Sequence, residues 1–183
     1  MGILTSSKSF LLFFFVSVLT CSAYSQTPND SVFAKLISTI QNKEQYVRQK
    51  EERITAFKKS VSVPLSPLQE YRYNAGLYKE YQKFKLDSAV YYVKKNLAIA
   101  ESLNETDLTD AARLQLAGLY SSSGLFRESE EILKSIDKKR LPKQLWADYY
   151  DTYIRFFEHY STNSYNDSYL QQISAFRDSL LNV

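Results

Sequence analysis

His159 is the only histidine in this chain of 183 residues. It stands among Phe156, Phe157 and Tyr160, and a single imidazole does not make the usual metal-binding cluster. Carboxylates cluster at Glu51-Glu52 and Glu128-x-Glu130-Glu131, where a hydrolase could divide acid and base work. At those spacings most of them point into water, and no partner base accompanies them. The sequence holds no phosphate-cradling loop, no nucleophile elbow and no glycine-rich nucleotide motif. The chain is therefore read as non-catalytic, with no cofactor and no metal.

What remains is binding chemistry. The chain carries 15 Tyr and 11 Phe, and a tyrosine can bury its ring while leaving its hydroxyl at a wet edge. Tyr78, Tyr81, Arg113, Tyr120, Tyr149 and Tyr153 are the candidates for a partner-binding groove. Each competes with a plainer reading, because the same spacing packs one helix on the next. The net charge of +3 is small, and Lys and Glu are interspersed, so nucleic acid is not an expected partner. A protein or peptide is.

The elements that must position these residues are helices. Only 4 Gly and 4 Pro interrupt the chain, which favours long helices and short connections. Residues 1–25 read as an export signal. Lys8 precedes the apolar run Phe10–Leu19, and Ala23-Tyr24-Ser25 is a small-x-small cleavage site. The run is about half of what a membrane-spanning helix needs. Cleavage after Ser25 would remove the lone cysteine, Cys21, and with it disulfides and thiol chemistry. Lipid attachment at Cys21 is the alternative. Either way the protein is expected to be exported, to the periplasm or the cell surface.

Residues 27–62 are expected to form one long helix and a linker, opening at Thr27-Pro28-Asn29-Asp30. Phe33, Ile37, Ile40, Glu44, Val47, Glu51 and Ile54 alternate at spacings of four and three. This is a seam for packing on the repeats behind it, or for a homodimer through a coiled coil. Two of the seven are glutamates, which favours packing.

A helical domain is expected over 66–183, in three hairpins at about 66–104, 107–140 and 143–181. Pro64 and Pro67 break the chain before it. Ser66-Pro67-Leu68-Gln69 then restarts a helix with a capping box and a proline in the first turn. Its face is read as Leu68, Tyr71, Ala75, Tyr78 and Tyr81, running to about Phe84. The return helix, from near Asp87, carries Leu86, Ala89, Val90, Val93, Leu97, Ala100 and Leu103. The second hairpin places Leu108, Ala112, Leu116, Leu119 and Tyr120 on one helix. After the turn Ser121-Ser122-Ser123-Gly124, with Gly124 as left-handed cap, Ser129, Ile132, Leu133 and Ile136 lie on a helix reaching about Lys138. The third joins a helix over 143–160 to one from 167 or 168 to Leu181, with Tyr169, Ile173, Phe176 and Leu180 inward. That stripe runs up to Asn182-Val183, so the last helix reads as an interface or as a place where a longer chain would continue.

Leu116-Ala117-x-x-Tyr120, Ser129-x-x-x-Leu133 and Pro142 follow the tetratricopeptide pattern, and Trp146-x-x-Tyr149-Tyr150-x-x-Tyr153 repeats its spacing. Tyr120 and Tyr153 are 33 positions apart, and Tyr81 and Tyr120 are 39 apart; the repeat is about 34. The expected fold is all-α: a tetratricopeptide-like α-solenoid of antiparallel hairpins preceded by a long N-terminal helix. Ala117 and Ser129 are the small residues that let two helices cross closely.

The order of segments resembles one family. The exported start, the helix ending in Lys50-Glu51-Glu52-Arg53-Ile54, Tyr73–Tyr81, Phe84–Tyr92 and Ser122–Phe126 are similar to the N-terminal region of Bacteroidetes tetratricopeptide proteins with the domain of unknown function 6377. The resemblance implies an extracytoplasmic sensor or adaptor part of a regulatory protein, with a membrane helix, a coiled coil and a cytoplasmic end beyond the repeats. A free or lipid-anchored periplasmic scaffold is the alternative, and after it an enzyme on a helical scaffold. No apolar run of spanning length follows residue 20. The resemblance implies no catalytic residues. Asp30-Ser31-Val32, Asp87-Ser88-Ala89 and Asp178-Ser179-Leu180 also have the form of an O-glycosylation acceptor in Bacteroidetes, although Asp-Ser is equally a common helix start.

Overall fold

The computed structural model describes residues 28–163 and 168–183, all in helices and short connections. The export signal over 1–25, cleavage after Ser25 and the alternative at Cys21 lie outside the described residues, as do positions 164–166 of the third hairpin's loop.

Eight α-helices follow in order among the described residues: α1 (Pro28–Gln41), α2 (Lys43–Lys59), α3 (Pro67–Tyr81), α4 (Leu86–Ser102), α5 (Thr106–Ser122), α6 (Phe126–Ser135), α7 (Trp146–Asn163) and α8 (Ser168–Leu181). A short 3-10 turn, Lys143–Leu145, leads into α7. The described residues divide into two units, one ending at Gln49 and the other beginning at Lys50.

In the first unit, the long helix expected over 27–62 is interrupted at Asn42. Asn42 still donates its main-chain N–H to Ser38 O at 3.0 Å. Its side-chain amide donates to the same carbonyl at 2.8 Å, the local competition by which asparagine disturbs a helix. Val32, Phe33, Leu36, Ile37 and Ile40 of α1 are exposed.

The second unit is built of hairpins. Ser66 starts α3 as read from the sequence: its hydroxyl accepts from Gln69 N, and Gln69 Oε1 accepts from Ser66 N at 2.9 Å. The turn between α5 and α6 closes on Gly124 at φ +80°. Leu125 N bonds to Tyr120 O and Gly124 N to Ser121 O, the paired bonds of a Schellman cap. Asn104, at φ 56°, does the same after α4, with Glu105 N on Ala100 O and Asn104 N on Glu101 O.

Several faces differ from the sequence reading. On α3 the buried residues are Tyr71, Asn74, Leu77 and Tyr81, while Leu68 is exposed. On α4 they are Ala89, Val93, Asn96 and Ala100, and Leu86 and Leu103 are exposed. Asparagines at two interior positions hide the stripe from an apolar count. Helix α6 ends at Ser135, before Lys138, because Asp137 organises a turn instead. Its carboxylate accepts from Lys139 N at 3.0 Å, and its carbonyl accepts from Arg140 N and Leu141 N. Helix α5 is buried on several sides, since it packs against α4, α6 and α7.

Two apolar cores result. One joins Ile54 of α2 to Leu77, Tyr81, Ala89, Val93, Leu116 and Leu119. The other gathers Leu114, Ala117, Leu133, Ile136, Leu141, Ile154, Phe156, Phe157 and Ile173. Helix α5 contributes to both and so ties the hairpins together.

Candidate partner-binding groove

The first helices of the three hairpins, α3, α5 and α7, line one polar groove of about 500 Å3. Its floor is α5, where Ala111, Gln115, Gly118 and Ser122 recur at spacings of four, three and four. That spacing keeps them on one helical face. They are small or polar because this face looks into the groove rather than into either core. A Cβ added at Gly118 would lie 4.0 Å from the Thr152 methyl, so the floor is shallow there without being crowded.

The walls carry the charge. Helix α3 and the turn after it supply Tyr78, Lys79, Gln82 and Lys83, and α7 supplies Asp148, Asp151, Arg155 and His159. Arg155 pairs with Asp151 one turn earlier at 2.8 Å, both more than two-fifths exposed; such a pair holds weakly. Burial pushes the Tyr78 phenol up, Arg155 opposes the shift and Asp148 adds to it, so both charges reach Tyr78 across the groove. Gln115 Oε1 is buried and makes no hydrogen bond within the protein.

His159 Nδ1 lies 2.9 Å from Ser121 Oγ. The pair has the composition of a nucleophile and its base, but Ser121 is 1% exposed and its oxygen reaches no substrate. Its effect is to link α5 to α7 beside the groove. Among the described residues, no group of His, Cys, Asp and Glu could hold a metal ion, and no helix is long and apolar enough to cross a membrane.

Of the six residues singled out by sequence, Tyr78 lines this groove. Tyr81 is buried in the core and stacks on Tyr92, with the Lys58 ammonium over both rings. Arg113 lies between Glu101 of α4 and Asp110 of α5, at 3.6 and 3.7 Å. Tyr120 packs at the edge of the core under Lys94. Tyr149 and Tyr153 are 4.9 Å apart and face a separate cavity between α6, α7 and α8. The groove residues Gln115, Gly118, Asp148 and Arg155 were not among the six. The signal that could have found them is the small and polar stripe of α5, opposite its apolar ones.

With this geometry in view, comparison with known proteins gives one match. The family model described as the SusR N-terminal TPR domain, TPR being the tetratricopeptide repeat, covers residues 40–183. No curated protein and no solved structure matches the chain.

Proposed function

Because this chain belongs to the family of SusR N-terminal TPR domains, a repeat fold that serves protein–protein interaction, we propose that its groove across α3, α5 and α7 holds an extended segment of a protein partner without catalysing a reaction. The observation that carries this reading is the polar stripe Ala111, Gln115, Gly118 and Ser122 on the floor, flanked by charges of both signs. The small residues Ala111, Gly118 and Ser122 on the floor admit a peptide main chain closely. Burial of Ser121 supports a non-catalytic role.

In the finer reading, the protein is exported and is the extracytoplasmic sensor or adaptor part of a regulatory protein. The apolar run Phe10–Leu19 and the small-x-small site at Ala23–Ser25 support export. The segment order supports kinship with Bacteroidetes proteins carrying the domain of unknown function 6377. Self-association through α1 is a second reading, favoured by the exposed apolar residues Phe33, Ile37 and Ile40.

The test is capture from periplasmic extract by the wild-type protein and by Gly118→Gln, which fills the floor from a position with no close neighbour. A partner held by the wild type and lost by the variant is the expected result. Equal capture by both, or no reproducible capture by either, refutes the groove.

A further inference from the structure

The groove reading leaves unused a second, open cavity between α6, α7 and α8, of about 850 Å3. That is the size of a small-ligand site. Tyr149, Tyr153 and Tyr160 of α7 and Tyr169 and Phe176 of α8 line it. The rings of Tyr149 and Tyr153 lie 4.9 Å apart, and those of Tyr160 and Tyr169 lie 5.1 Å apart. Burial raises the Tyr153 and Tyr169 phenols, their tyrosine neighbours add to it, and the Glu130 carboxylate contributes to both. Glu130 itself lines the same cavity.

The charges of the lining are not equivalent. Arg127 is committed to Glu131 at 3.0 Å and its side chain is 87% exposed. Lys134 is committed to Glu130 at 2.7 Å and is 67% exposed, against 48% for Glu130. In each pair the cation is the more exposed partner, although Glu128 and Glu130 are exposed as well. Glu128 also lines the cavity. Ring faces, phenol oxygens and carboxylates all attract positive charge, and an anion would meet Glu128 and Glu130.

We propose that this cavity binds an organic cation, an ammonium or guanidinium on an apolar stem, with the stem against the rings and the head toward Glu128 and Glu130. The site stands apart from the groove, and Gly118→Gln should leave it unchanged.

The test is calorimetric titration of the full chain with tetramethylammonium, Nα-acetyl-arginine amide and its neutral counterpart Nα-acetyl-norleucine amide. Both cations are expected to bind, the neutral amide at least about tenfold more weakly. Preference for the arginine amide points to a side chain on a partner, and preference for tetramethylammonium to a free cation. The double variant Glu128→Gln, Glu130→Gln should lose about tenfold in affinity for both cations, with circular dichroism unchanged. Should the double variant misfold, Glu128→Gln alone serves. The proposal is overturned if the neutral amide binds as well as the cations, if nothing binds, or if the carboxamide variants keep full affinity.

Discussion

The Ser129 hydroxyl of α6 donates to the main-chain carbonyl of Ala117 on α5 across 2.8 Å, and both residues are fully buried. Nothing larger than these two side chains separates the helices at that point. The contact defines the second hairpin and fixes which face of α5 is left for the groove. Replacing Ser129 by Phe should overpack the crossing and cost about 1–3 kcal/mol. Ser129→Ala should cost only about 0.5–1.5 kcal/mol, the worth of one hydrogen bond. Urea denaturation of the three proteins measures both; a Phe variant as stable as wild type would mean the helix register is wrong.

Two glycines on neighbouring first helices should respond in opposite directions to the same change. A Cβ at Gly76 would lie 2.5 Å from Phe57 Cζ, and that ring is stacked on Tyr73 at 5.4 Å. Gly76→Ala should destabilise by about 1–3 kcal/mol, less the gain in helix propensity. Gly118→Ala meets only the Thr152 methyl at 4.0 Å, and should stabilise by about 0.5–1 kcal/mol. Thermal melts that shift both variants the same way would contradict these packing assignments.

The turn glycine is a separate case. Gly124 sits at φ +80° with nothing within 4 Å of an added Cβ, so the penalty for alanine is purely conformational, about 1–2 kcal/mol. Asn104, at φ 56°, should accept glycine at little cost, because asparagine already pays part of that strain. Denaturation midpoints of Gly124→Ala and Asn104→Gly compare the two.

Much of the architecture is legible in the sequence because its signals are local. Ser66, Pro67 and Gln69 start α3, and Gly124 ends α5, through bonds that span three to five residues. The helix faces are less legible. Asn74 and Asn96 are 1% exposed, and a reading by apolar periodicity assigns their places to Leu68, Leu86 and Leu103 instead. The six binding candidates were chosen for aromatic spacing, which is also what builds the cores, and Tyr81 shows that outcome. The groove floor carries no aromatic residue, and α5 must be seen between α3 and α7 before its polar stripe acquires meaning.

Acid should act on two carboxylates with opposite sign. Hydrogen bonds from Lys50 and Arg53 hold the Glu80 carboxyl below its ordinary range. Its contribution is present above the unfolded value and is lost as pH falls through the folded one. Burial raises Asp110, with Arg113 and Arg140 opposing. Ionised Asp110 therefore costs stability at neutral pH, and that cost is relieved as pH falls through its raised folded value. Glu80→Gln should be less stable than wild type at pH 7, with the difference shrinking toward pH 3. Asp110→Asn should be more stable at pH 7, and that advantage should shrink as well. Melting temperatures across this range decide; a difference that does not change with pH would remove the electrostatic explanation.

The central claim is that partners are held by the α5 floor between α3 and α7. A photoreactive benzoylphenylalanine at position 79, where Lys79 stands exposed on the groove wall, should give a covalent adduct with a partner in cells. The same residue at position 91, where Tyr91 is exposed on α4, should give none. Adducts at 91 with none at 79 would contradict the account.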